Sequence, residues 1–300
     1  MSQCDYSRER LDGFITEKDI AQIAGWGFDH VRLPFDYNIV QNKDGSFIEE
    51  GFGRLEKAVS LSKKHGLRIV LDLHKTAGFS FDFGEEESGF FDSEELQEQF
   101  YALWEEMARR FGSDTENIVF ELLNEVTDEV LIGRWNKIAA RCIERIRAIA
   151  PKIGILLGSY HNNGAREVEA LDVPCDEDLI YNFHCYEPLK FTHQGATWTP
   201  EIDPEERLSF EESGADEAYF EELFSSAVAK AERDGVPLYC GEYGVIDRAD
   251  PADVIKWYSA IGRVLEKHRI GRCAWCYKEM DFGISDSRLD GCREELLRAM

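Results

Sequence analysis

The chain of 300 residues carries 59 acidic against 34 basic side chains, a formal net charge of −25, and so negative a surface repels phosphate, which excludes nucleic acid as a partner. With 43% hydrophobic and 31% charged residues, and no apolar run near the ~20 residues that span a bilayer, it reads as a globular chain without a membrane anchor. A neutral ligand such as a sugar is compatible with this charge, and the excess acid in Glu85-Glu86-Glu87, in 92–98 and in 201–222 reads as solvated loops and helix faces.

In chain order, residues 1–9 hold no apolar stretch that could serve as a signal peptide. A cytoplasmic location is expected, with a signal peptide upstream of the present start as the alternative. Residues 2–13 are polar and lack a buried-strand pattern, so the first recognisable element is a helix over 16–26, N-capped by Thr16 with Asp19 three residues on. Apolar runs then predict strands at 29–35, 67–74, 117–125, 152–159, 179–187, 237–244 and 271–278, each almost continuously apolar, as strands buried on both faces are. Between them the spacing predicts helices over 51–65, 93–111, 133–150, 166–171, 216–234 and 251–268, with a closing helix over 289–300. Ser93 is placed as a second N-cap. Of the eight cysteines, Cys185, Cys240, Cys273 and Cys276 fall in these apolar segments and read as reduced, buried thiols.

Strand and helix alternating along the whole chain indicate a parallel sheet of crossover units. Barrels of this kind reach roughly 250 residues as one unit. The expected architecture is therefore α/β, a TIM (β/α)8 barrel forming a single domain over residues 1–300. Seven strands are visible rather than eight, so the first strand is expected to be missing from this sequence. A chain extended upstream by roughly the 10–15 residues of a strand and turn is expected to be more stable and more active.

Chemically useful side chains recur where the strands end: Arg32, His74, Asn124 with Glu125, His184 with Tyr186, Glu242 and Trp275. In such a barrel the site lies at the C-terminal ends of the strands, so the recurrence is a joint signal although each residue alone is weak. Single histidines such as His74 and His184 more often serve a core or a loop. Trp275 alone is more often core, but beside Lys278 it fits a ring under a pyranose. No His-Glu-x-x-His spacing supports a metal.

Hydrolysis of a glycosidic bond with retention needs two carboxyl groups about 5–5.5 Å apart, one protonated and one ionised. Glu125 and Glu242 are the candidates. Asn124 is placed to bond a sugar hydroxyl beside the reacting carbon, and Gly241 and Gly244 to let the backbone approach a ligand. Arg32 is expected to pair with Glu242 and keep it ionised, and Glu125 to need a less polar setting. Glu121, mid-strand, reads as a buried structural partner. The connection 188–216, with Phe191, His193, Trp198 and Phe210, is long, acidic and without clear secondary structure, the mark of a binding wall.

The strings Phe120-Glu121-Leu122-Leu123-Asn124-Glu125 and Tyr239-Cys240-Gly241-Glu242-Tyr243-Gly244 resemble glycoside hydrolase family 5, the cellulase family. His30-Val31-Arg32-Leu33-Pro34-Phe35, Leu71-Asp72-Leu73-His74, Tyr181-Asn182-Phe183-His184-Cys185-Tyr186 and Ala274-Trp275-Cys276-Tyr277-Lys278 match its other blocks in order. The resemblance implies Glu125 as acid/base, Glu242 as nucleophile and Arg32 near the nucleophile. It implies that His74 binds substrate, Asn124 holds the 2-hydroxyl, His184 and Tyr186 orient the carboxylates, and Trp275 stacks on the sugar. It further implies a retaining endo-β-1,4-glucanase acting on β-glucan oligo- or polysaccharide by double displacement, with no metal and no cofactor; a monomer is expected. The alternatives are a β-mannanase, a mixed-linkage glucanase or an exo-β-glucosidase on the same scaffold, or a non-catalytic polysaccharide-binding barrel. The chain departs from the family at Val126, where many relatives carry proline, and at Lys75, often a second histidine. The connection 188–216 is also shorter than in one endoglucanase of the family.

Overall fold

The computed structural model describes residues 1–2, 6–82 and 87–300; Cys4, Glu85 and Glu86 lie outside the described residues. The chain forms two compact units, one of residues 1–163 with 170–181, the other of 164–169 with 182–300.

The first unit contains β1 (His30–Asp36), β2 (Arg68–Lys75), β3 (Ile118–Glu121) and β4 (Gly154–Gly158). They run parallel and in register, Val31 beside Ile69, Ile69 beside Ile118, and Phe120 beside Ile155. Seven of the eight residues of β2 are buried, which is why its sequence is continuous rather than alternating in apolarity. Helices Glu17–Gly25, Glu49–Lys64, Glu94–Phe111 and Ile132–Ile149 cross between the strands. In the third of these Phe100, Leu103, Trp104, Met107, Ala108 and Phe111 are buried, the three-and-four spacing of a single apolar face. The predicted caps are in place. Asp19 accepts from the Thr16 amide at 2.7 Å, and Ser93 Oγ from the Leu96 amide at 3.3 Å.

β5 (Leu179–Cys185) belongs to the first unit through Tyr181 and to the second from Asn182. The second unit continues with β6 (Leu238–Tyr243) and β7 (Gly271–Ala274), which pair in parallel, and helices Glu217–Asp234, Pro251–Lys267 and Arg293–Ala299. The order of strands in the sheet is the order of the chain, seven among the described residues.

Three tryptophans on the helices secure the places where strands stop. Trp104 Nε1 donates to the Leu122 carbonyl at 3.1 Å, Trp135 Nε1 to Gly158 at 2.9 Å, and Trp257 Nε1 to Glu187 at 3.0 Å. A chain leaving a sheet releases carbonyls that water cannot reach. An indole N–H satisfies each one while its ring fills the core.

Several elements differ from expectation. β3 ends at Glu121, four residues short, and β7 at Ala274, so neither Glu125 nor Trp275 lies on a strand. Leu122 and Leu123 are fully buried; their apolarity reports burial, which strand and irregular backbone share. Residues 166–171 form a 3-10 turn, Arg166–Ala170, and the closing helix begins only at Arg293. A short helix, Arg8–Gly13, precedes the one capped by Thr16, started by Ser7 Oγ accepting from Arg10 N at 3.2 Å. The Met1 carbonyl accepts from the Asp36 amide of β1 at 3.2 Å.

None of the seven described cysteines is joined in a disulfide. Cys142, Cys185 and Cys240 are buried and their thiols pushed up by desolvation, so they are inert packing groups. Cys273 and Cys276 stand in a C-x-x-C spacing, a pattern absent from the reading of the cysteines above. Burial pushes Cys276 up to about 12, the reverse of a redox-active pair.

Candidate active site

In the first unit the centre of the polar cluster is Arg32 on β1. Its Nε and Nη2 grip Glu121 of β3 at 2.6 and 2.9 Å, Nη2 also donates to Asn124 Oδ1 at 2.8 Å, and it lies 3.0 Å from Asp72 Oδ2 on β2. Asp72 in turn lies 2.6 Å from His74 Nδ1. Arg32, Glu121, Asp72 and His74 have side chains at most 2% exposed. A buried cation forked onto one carboxylate and beside another is tolerable because each charge is met by a partner. Glu121 is thus the structural partner expected, and within this unit the ion pairs of Arg32 go to Glu121 and Asp72.

The cluster fixes two polar side chains, His74 and Asn124. With Asp72 on Nδ1, His74 is fixed in orientation, and Phe81 packs edge-on against its ring at 5.0 Å. Because Arg32 donates to Asn124 Oδ1, the other end of that amide must be the NH2. Asn124 is fully buried and its Nδ2 has no protein partner. A buried donor without an acceptor is costly unless a ligand or water completes it.

Glu125, next in the chain, is 7% exposed and has φ 41°. Its Oε2 accepts from Asn162 Nδ2 at 3.0 Å. Nothing in the sequence pattern pointed to Asn162, which sits in the turn after β4.

In the second unit Glu242, 5% exposed, lies on β6. Its Oε2 accepts from the Tyr186 hydroxyl at 2.8 Å and lies 3.7 Å from His184 Nδ1. Tyr186 follows β5 and is clamped by His193 and Phe282, ring centroids 5.1 and 5.7 Å away. Thr192 Oγ1 donates to its carbonyl. Burial holds His193 at about 4, so the ring against Tyr186 is neutral near pH 7.

The glycines flanking Glu242 are also required by packing. A Cβ on Gly241 would lie 2.5 Å from Asn182 Oδ1, which accepts from the Gly241 amide at 3.0 Å, and one on Gly244 would lie 2.2 Å from the Trp275 carbonyl. Trp275 is half-buried and, with Tyr186 and Cys276, packs on Ala196, Ile246 and Phe282.

The connection 188–216 is less irregular than expected, containing helical turns Leu189–Thr192 and Phe210–Ser213. Phe191 is fully buried, whereas Trp198 is 47% exposed with Arg248 6.0 Å over its ring. Sequence reading also missed a group at the ends of β1 and β2. Lys75 Nζ donates to the Tyr6 hydroxyl at 3.0 Å, which donates to Asp36 Oδ2 at 2.6 Å, while Asp36 Oδ1 is buried and unpartnered. The lysine in place of the family's frequent histidine was the available signal.

Residues 1–281 match the family described as cellulase, glycosyl hydrolase family 5. Cellodextrinase A of Ruminococcus flavefaciens is 67% identical over 91% of this chain and 81% of its own length. Endoglucanase C of Acetivibrio thermocellus is 35% identical over 98% and 93%. Thermotoga maritima Cel5A, solved in complex with mannotriose, is 28% identical and superposes with a TM-score of 0.80, covering 95% of this chain and 90% of that one. The chain belongs to glycosyl hydrolase family 5; it is a glycoside hydrolase on that family's (β/α) barrel.

Proposed function

We propose that this glycoside hydrolase cleaves β-1,4-linked glucan chains with retention, Glu242 attacking the anomeric carbon while Glu125 protonates the departing oxygen. Water then displaces Glu242 from the glycosyl-enzyme, with Glu125 taking its proton. The observation that carries the assignment is the contrast between the two carboxyl groups. Glu242 receives the Tyr186 hydroxyl on Oε2, which holds an ionised nucleophile in place. Glu125 follows directly on Asn124, whose unpartnered Nδ2 fits the 2-hydroxyl contact that strengthens as oxocarbenium character develops. Trp275 supplies a platform for the sugar and His74 a fixed ring. No metal or cofactor enters these steps.

Support for the linkage comes from the names of the relatives, a cellodextrinase and an endoglucanase. β-Mannan is the second reading, because the solved relative was crystallised with mannotriose. Turnover should be found on cello-oligosaccharides and barley β-glucan, with a fall in carboxymethylcellulose viscosity marking internal cleavage. A rate on mannan exceeding all of these overturns the linkage assignment. Proton NMR of the first product should show the β-anomer from a β-linked substrate; an initial α-anomer overturns the double displacement. The free cysteines fit a reducing cytoplasm, and a monomer in solution, measurable by light scattering, completes the proposal.

A further inference from the structure

The turn after β4 is held in an uncommon conformation that the double displacement itself does not require. Its residues His161, Asn162 and Asn163 have φ of 47°, 55° and 58° in succession. None is glycine. The left-handed region costs an ordinary residue about 1–2 kcal/mol, less for asparagine, so three in a row persist only where their surroundings fix them. Here the surroundings are the residues after Glu125. His161 N donates to the Thr127 carbonyl at 3.2 Å and Asn162 N to the Val126 carbonyl at 3.0 Å. Beneath the turn, Gly158 closes onto the buried Asn163, whose Oδ1 would stand 2.1 Å from a Cβ there. Two main-chain bonds thus strap this turn to the segment leaving Glu125, and the result aims Asn162 Nδ2 at Glu125 Oε2, 3.0 Å away.

We infer that Asn162 is the positioning residue of the acid/base. An amide N–H can only donate. It engages Oε2 as an acceptor and so fixes the plane of the carboxyl that carries the proton to the leaving group and later receives one from water. A carboxyl free to rotate would present its proton to the glycosidic oxygen only part of the time, and orientation of this kind contributes directly to rate. Left-handed backbone explains the residue type, because asparagine tolerates that conformation and brings an amide at the right length.

The inference rests on the proposed role of Glu125, and the test separates the two. Asn162→Gly keeps the left-handed backbone at no steric cost and deletes the amide alone. Asn162→Asp keeps shape and backbone tolerance but removes the donor. Both are compared with wild type and Glu125→Gln by kcat/KM, which reports glycosyl transfer to the enzyme, on cellotetraose and on 2,4-dinitrophenyl β-cellobioside. General acid assistance is worth about 10²–10⁴-fold, so loss of its alignment should cost about 10- to 100-fold on cellotetraose and under about threefold on the dinitrophenyl substrate, whose leaving group needs no proton. Asn162→Asp should lose at least as much as Asn162→Gly on cellotetraose. Equal losses on the two substrates, or no loss on cellotetraose, overturn the inference. If Glu125→Gln shows the substrate split and Asn162→Gly does not, Asn162 alone is misassigned. If Glu125→Gln shows no split, the role of Glu125 falls and this inference with it.

Discussion

Glu242→Gln is expected to lower turnover on cello-oligosaccharides by a factor on the order of 10⁴ or more, because an amide oxygen does not form the glycosyl ester on which the second step depends. The change is isosteric. The Tyr186 hydroxyl, 2.8 Å from Oε2, can still donate to a glutamine carbonyl, so the variant should fold and bind cellotetraose with a Kd near that of wild type by calorimetry. Glu125→Gln should lose about 10²–10⁴-fold on the same substrates, the range of general acid–base assistance. Azide should rescue Glu242→Gly and yield the glycosyl azide of inverted configuration, since the small anion enters the space of the missing carboxylate. Near-wild-type turnover in either glutamine variant contradicts the assignment.

The second large effect is one of stability. Arg32 carries the permanent positive charge of the described cluster of Glu121, Asp72, Asn124 and His74, its side chain 2% exposed. Removing one member of a buried ion pair strands the others in low dielectric, and Arg32→Ala leaves both Glu121 and Asp72 without it. Such losses run to about 3–5 kcal/mol, which for a chain of this size lowers Tm by on the order of 10 °C. Arg32→Lys should fall between, keeping the charge and losing the fork on Glu121. A Tm for Arg32→Ala within about 2 °C of wild type, an effect below 1 kcal/mol, would show that the cluster does not stabilise the fold.

The parts of the fold that were legible from sequence are those with a simple physical code. β2 reads as a strand because seven of its eight residues are buried, and helix Glu94–Phe111 because its buried residues share one face and Ser93 caps it. The ends of strands carry no such code. Leu122 and Leu123 look like two more strand residues, yet the backbone has already left the sheet, and it is Trp104 donating to the Leu122 carbonyl that makes this tolerable.

The same contrast holds in the site. Arg32, Asn124, Glu125, His184, Tyr186 and Glu242 were singled out because acids, amides and rings recur toward strand ends in a familiar order. Asn162 and Tyr6 were not. Their parts depend on left-handed backbone in one case and on a reach of 69 residues to Lys75 in the other, and neither leaves a periodic trace. Gly241 and Gly244 were noticed as room for a ligand, and close packing against Asn182 and Trp275 demands glycine there as well.

The central claim is that Glu242 becomes covalently glycosylated. A 2-deoxy-2-fluoro-β-cellobioside with a dinitrophenyl leaving group forms the intermediate faster than it can be released, because fluorine destabilises the positive charge that both transition states develop while the dinitrophenyl group speeds the first step alone. Intact-protein mass spectrometry should then show one added fluorocellobiosyl unit, and peptide fragmentation should place it on Glu242. An adduct on Glu125 or any other carboxylate, or complete hydrolysis to the α-product with no adduct, would contradict the account.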